Sequence, residues 1–285
     1  MVERRPALTL VAHLVLVLGV LIVFFPVYVT FVASTQSAEQ VLQSRPLSLV
    51  PGDHMVETYK RALLGGKGDY GGDKAPAGRM LWISLVMAIT IAVGKIAISL
   101  LSAFAIVYFR FPFRSLVFWM VFITLMLPVE VRIYPTYQVV SDLGLLNTYA
   151  GLTVPLIASA TATFLFRQFF LTVPEELAEA ARMDGAGPMR FFKDILLPLS
   201  RTNIAALFVI QFIYGWNQYL WPLIVGTEER YYTVVMGISR MVNAVDTSPQ
   251  WNLVMATAML ALIPPVVVVL VMQRLFVKGL VEAEK

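Results

Sequence analysis

The chain has 285 residues, of which 58% are hydrophobic and only 14% charged, and its mean hydropathy is +0.75. That balance excludes a soluble globular domain of this length and points to a membrane protein. A formal net charge of +4 means little before its placement is known, and zero Cys removes disulfides, thiolate catalysis and Cys-ligated metals.

In chain order, Arg4 and Arg5 precede 33 residues, Pro6 to Ala38, without Lys, Arg, Asp or Glu. A bilayer core needs about 20 helical residues, whereas the apolar core of a signal peptide is only ~7–15. The reading is an uncleaved first span over about 10–32, with Arg4-Arg5 as an inside anchor and Pro26 as a kink. His13 reads as a surface or packing residue beside that anchor. Residues 34–79 form a long polar connection, rich in Gly and charge between Gly65 and Gly78. Its fragment GGKGDYGG lacks the spacing and the strand-to-helix setting of a phosphate loop, so a long external loop is expected.

The second span, 80–108, carries Lys95 near its middle. An ionisable group at that depth costs about 2.5–3.5 kcal/mol and faces protein or a water-filled path. After a short turn with Arg110, Pro112 and Arg114, the third span covers 115–137 and contains Pro128, Glu130, Arg132 and Pro135. The fourth span, 145–166, is uncharged and ends at Arg167. A fifth, 202–225, includes Gly215-Trp216-Asn217-Gln218 and Pro222. The sixth, 253–273, holds Pro264-Pro265 before a basic tail from Arg274. With both ends inside, twelve basic residues lie on that side, against three (Arg132, Arg230, Arg240) near the short external loops. The six in the 34–79 loop count less, because long loops cross largely regardless of charge. Six spans in one all-α membrane domain over 1–285 is the consistent reading.

Between the fourth and fifth spans lies a polar island, TVPEELAEAARMDGAGPMRFFKDILLPLS, from Thr172 to Ser200. Thr172-x-x-Glu175 reads as a capping box with Pro174 in the first turn of a short helix. Glu175, Glu179 and Arg182 share a face of that helix. Gly185, flanked by Asp184 and Gly187, ends it, because Gly enters a left-handed turn at no steric cost. A second helix restarts at Pro188 and stops at Pro198, with Phe191, Phe192, Ile195 and Leu196 as its apolar stripe. The plain reading is an interfacial amphipathic linker.

Little else resembles a chemical site. The two histidines, His13 and His54, stand apart and outside any H-E-x-x-H frame. Asp184-Gly185 with Arg190 begins like the motif of membrane phosphotransferases, but only Asp194 follows before Asp246, so the constellation is incomplete. No Walker A sequence exists, so ATP could act only through a partner. A secondary transporter would show paired halves around broken helices, and no clear two-half repetition is present.

The polar island is more than a linker by resemblance. Glu179-Ala180-Ala181, Asp184-Gly185, Ile195 and Leu197-Pro198 reproduce the spacing of the EAA loop of ABC importer permeases. Gly215-Trp216-Asn217-Gln218-Tyr219, Trp221-Pro222-Leu223 and Gly144-Leu145-Leu146-Asn147-Thr148-Tyr149-Ala150 resemble the carbohydrate-type, maltose-system class of these permeases. The runs Phe122–Ile133 and Ala158–Phe170 are similar to the glycerol-3-phosphate uptake branch of that class. The likeness spans the chain apart from 34–79 and 228–249, the regions where contacts with a binding protein would differ.

The resemblance implies a bacterial inner-membrane permease of the ABC type I importer fold, with both termini cytoplasmic. It implies a heterodimer with a second permease, two ATPase subunits, a periplasmic solute-binding protein and surrounding lipid, and no nucleic acid. ATP and Mg would be held by the ATPase, with no cofactor, metal or catalytic residue on this chain. Glu179, Ala180, Ala181, Asp184, Gly185, Ile195, Leu197 and Pro198 would couple to it. Neutral sugars are the alternative cargo within the class. A phosphate cargo needs cations, and Lys95 and Arg132 are the two within or beside the spans. Arg132 lies about 17 residues into the third span, roughly 26 Å along a helix, near the external mouth. Its guanidinium fork suits phosphate there, and Glu130, two positions away, points to another face. Snorkelling to headgroups or pairing with the partner permease competes as a role for Arg132. Trp216 and Asn217 complete the expected pathway residues.

Overall fold

The structure, a computed structural model, describes residues 6–43, 48–65, 76–124, 127–243 and 249–282. All regular structure among the described residues is helical. Three helices, within Leu8–Thr35, Ala77–Tyr108 and Trp251–Gln273, are long and apolar enough to cross a membrane, and two bent helix pairs bring the number to at most five. The chain falls into two compact units, Met1–Arg79 with Gly237–Ile263 and Met80–Met236 with Pro264–Lys285.

In the first unit, α1 (Pro6–Thr35) runs unbroken through Pro26 and leaves its apolar side chains from Leu8 to Phe25 exposed. His13 is exposed and bonds only the Thr9 carbonyl of its own helix, at 2.7 Å. The end of α1 is buried and polar. Thr35 Oγ1 accepts the Gly52 N–H at 2.8 Å, and the Thr35 carbonyl accepts that of His54 at 3.0 Å. A Cβ on Gly52 would stand 2.7 Å from that carbonyl, so only Gly allows the approach. Two short helices follow, α2 (Ala38–Gln43) and α3 (Met55–Leu64). Ser34 Oγ meets the Tyr59 hydroxyl at 3.0 Å, fastening α3 to α1. The glycine-rich part of the expected external loop, Gly65 to Gly78, falls largely on 66–75, outside the described residues.

The second unit is built around α4 (Ala77–Tyr108), which belongs to it from Met80 onward. Next come α5 (Arg114–Ile123) and α6 (Val129–Asp142), then the single turn α7 (Tyr149–Thr153). After these are α8 (Ala160–Thr172), α9 (Glu175–Met183), α10 (Pro188–Phe191) and α11 (Leu197–Leu199). The series ends with α12 (Arg201–Trp216), α13 (Leu220–Val225), α14 (Val234–Val242) and α15 (Trp251–Glu282), the last two divided between the units.

Proline stands at two of the three places where the expected continuous spans break. The 115–137 stretch is divided between α5 and α6, with Pro128 capping α6 and residues 125–126 outside the described set. The 145–166 stretch is α7, a tight turn through Pro155 and then α8, bent by 46°. The 202–225 stretch ends as a helix at Trp216, and Leu220–Val225 is a separate element.

One apolar cluster joins α4, α8 and α12 to the helices of the polar island through Phe104, Phe166, Phe170, Phe191, Phe192 and Leu196. A second holds Ile83, Met87 and Ile91 of α4 against Leu152, Trp221 and Val225. Around it, Trp221 Nε1 donates to the Gly151 carbonyl at 3.1 Å. Asn147, at φ 54°, donates to Thr227 Oγ1 and accepts the Glu228 N–H, both at 2.9 Å. Asn147 and Trp221, one from each motif, therefore tie the segment 147–151 to 221–228. α12 reaches α4 closely at Gly215, where a Cβ would lie 2.9 Å from the Ala88 Cα.

Candidate functional site: a polar loop and a cationic cavity

The loop 172–200 is locked from below and open above. The expected capping box is absent: α8 runs through Thr172, whose hydroxyl turns back to the Phe169 carbonyl at 2.7 Å. Pro174 caps α9 without a side-chain bond, and Glu175 and Glu176 in the first turn complement the helix dipole. α9 buries Ala178 and Ala181 on the Phe104–Phe192 side of the cluster and exposes Glu179 and Ala180. Its end is a Schellman turn. Gly185 at φ 71° donates to the Arg182 carbonyl at 3.0 Å, and Ala186 N–H reaches the Ala181 carbonyl at 2.8 Å.

The second arm is helical from Pro188 to Leu199, one residue past Pro198, and then bends by 72° into α12. Pro198 lacks the N–H that would bond the Asp194 carbonyl, and its ring crowds that carbonyl. The turn widens accordingly: Phe192–Leu196 is π-helical and Leu197 N–H bonds the Phe192 carbonyl. Phe192 packs on Phe104 with ring centroids 5.0 Å apart and Phe191 on Tyr108 at 5.2 Å. Ile195 is half-buried in the same cluster, while Asp184, Leu197 and Pro198 are exposed. The outer face thus carries Glu179, Asp184 and Met183, the last 84% exposed.

The second feature is a cavity of about 610 Å³ inside the same unit, lined from α4, α6, α8, α12 and α13. Lys95 and Arg132 both line it, with Gln211, Tyr214, Gln218, Thr136, Ser159 and Thr161. Lys95 is buried, yet its Nζ donates to Gln211 Oε1 at 3.1 Å and stands 3.6 Å from the centre of the Tyr214 ring. Neither cation has an acidic partner among the described side chains. An uncompensated ammonium and guanidinium with neutral hydroxyl and amide neighbours favour an anion over a neutral solute.

Two of the other expected pathway residues, Trp216 and Asn217, do not line this cavity. Trp216 is buried, stacks on Phe212 at 5.9 Å and does not line the cavity. Asn217 caps α12 through its N–H to the Ile213 carbonyl and is also absent from the lining. Glu130 sits in the first turn of α6, and its side chain is outside the described residues.

Residues 95–282 match the family model described as binding-protein-dependent transport system inner membrane component. The chain belongs to that family. Among curated relatives, the sn-glycerol-3-phosphate transport system permease protein UgpE of Brucella melitensis is 62% identical over all of both chains. The UgpE proteins of Agrobacterium fabrum and Escherichia coli are 62% and 58% identical, again over the full lengths. Among solved structures, a chain of a bacterial ABC transporter involved in the import of the acidic polysaccharide alginate superposes with TM-score 0.76. It is 21% identical and aligns over 96% of this chain and 98% of that one, which shows a shared fold.

For a member of this family, sequence reasoning overlooks Gln211, Tyr214 and Gln218. The signal is available in part: 211 and 214 share one helical face by their spacing, and Gln218 follows just past the end of α12 in the GWNQ motif.

Proposed function

We propose that this chain is the permease subunit of an ATP-driven importer of sn-glycerol-3-phosphate, forming half of an alternating-access pathway. The observation that carries the proposal is the cavity shared by Lys95 and Arg132, two cations without a carboxylate partner among the described side chains. Full-length identity of 58–62% to proteins named for that substrate supports the same choice.

In this reading the third span is α5 with α6, the fourth is α7 with α8 and the fifth is α12 with α13, giving six spans in the bacterial inner membrane. The asymmetry of twelve basic residues against three supports cytoplasmic termini. A second permease completes the pathway, a periplasmic binding protein delivers cargo, and two ATPase subunits bind ATP and Mg. This subunit carries out no covalent chemistry.

The outward face of α9 and the Gly185 turn dock on an ATPase subunit, with Glu179 pairing a basic residue of its groove. Because Phe191 and Phe192 are packed on Phe104 and Tyr108, motion of the loop pulls α4 and α12 together. Substrate phosphate leaves the binding protein, meets the Arg132 fork, then the Lys95 ammonium, which exchanges the Gln211 oxygen for a phosphate oxygen. The test is ATPase activity of the reconstituted complex with its binding protein. Stimulation by glycerol-3-phosphate and not by maltose is expected, and the reverse pattern would move the substrate to neutral sugars.

A further inference from the structure

A pair of arginines lies apart from that cavity, near the turn where α4 gives way to α5. Arg114 opens α5 and Arg167 lies in the last two turns of α8, and both line a cavity of about 340 Å³ whose walls include Phe118, Trp119 and Leu171. α8 is held to α5 by the Phe122–Phe164 contact, centroids 5.5 Å apart. The Arg167 guanidinium is stacked 4.1 Å above the Phe118 ring. Its Nε is buried with no hydrogen-bond partner, and among the described residues neither arginine has an acidic partner.

A buried guanidinium donor without an acceptor is costly, which points to an acceptor that the chain itself does not supply. The ring fixes one face of the guanidinium and leaves its edge free for an incoming oxygen pair. Trp119, Leu116 and Leu171 beside the cavity are each at least 54% exposed, an apolar wall continuous with the basic pair. A tryptophan and two arginines at a span end mark the headgroup level of a bilayer.

We propose that this cavity binds the phosphate headgroup of an anionic phospholipid, with Arg167 and Arg114 on the phosphate and the acyl chains along Leu116, Trp119 and Leu171. The proposal rests on the membrane reading above but not on the transported substrate. Basic pockets between helices at this level suit such headgroups, each arginine adding about 1 kcal/mol, or about five-fold in affinity.

The experiment is native mass spectrometry of the detergent-purified complex, titrated with phosphatidylglycerol, phosphatidylcholine or inorganic phosphate. Phosphatidylglycerol adducts should dominate over phosphatidylcholine and survive excess phosphate. Arg114→Gln, at an exposed position, should weaken them about five-fold, and Arg114→Gln with Arg167→Gln about 25-fold. Equal adducts for both lipids, or none lost in Arg114→Gln, would overturn the proposal. Displacement by inorganic phosphate would overturn it in favour of a free-anion site. Loss of a partner subunit from Arg114→Gln would overturn it in favour of a protein carboxylate. Substrate-stimulated ATPase activity of the same preparation tests the transporter reading separately.

Discussion

Gly185 turns the polar loop at φ 71°, and a Cβ placed there would meet nothing within 4 Å. The demand for Gly is therefore one of backbone conformation and not of space. A β-branched residue in the left-handed region costs roughly 1–2 kcal/mol, enough to shift the loop population about ten-fold. Gly185→Val should abolish uptake while the chain still inserts, and Gly185→Asn, which tolerates that region, should keep most of it. Equal loss in both variants would assign Gly185 a contact role. The cations of the cavity allow a second residue-level test. Arg132→Gln and Lys95→Met should each lower glycerol-3-phosphate uptake about ten-fold or more with assembly and basal ATPase activity intact. Loss of assembly in Arg132→Gln would instead assign that arginine to the partner permease.

At the scale of elements, α12 and α4 approach closely at Gly215, where an added Cβ would stand only 2.9 Å from the Ala88 Cα. Gly215→Leu would force its side chain against that backbone, costing about 1–3 kcal/mol and lowering the melting temperature of the purified complex. Gly187→Leu, with open space around it, serves as the control and should leave that temperature unchanged. The helix–Gly–helix form of the loop is legible in the sequence because Gly185, Pro188 and the Phe191–Leu196 stripe are local signals that packing reinforces. The capping box misleads because Thr172 belongs to α8, and where one helix stops depends on tertiary support rather than on the T-x-x-E pattern. The breaks at Pro128 and Pro155 and the end of α12 at Trp216 are hidden for a related reason. Apolar composition is continuous across them, and hydropathy records lipid preference but not helix direction. Trp216 reads as a pathway residue from its motif and is packed on Phe212, whereas Lys95, singled out because a charge within an apolar run is costly, lines the cavity.

At the scale of the whole molecule, the loop and the cavity are parts of one unit, linked through α4 and α12. α4 carries Lys95 at the cavity and Phe104 and Tyr108 at the loop, and α12 runs from the 72° bend at the loop to Gln211 and Tyr214 at the cavity. In the proposed mechanism, a shift of the loop passes along these two helices to the cavity, so the ATPase need not touch the substrate. The most direct test is uptake of radiolabelled sn-glycerol-3-phosphate into proteoliposomes containing the full complex and binding protein, with or without enclosed ATP. Accumulation is expected only with ATP and only for the phosphorylated substrate. Accumulation without ATP, driven by an ion gradient, or ATP-driven uptake of maltose in its place, would contradict the account.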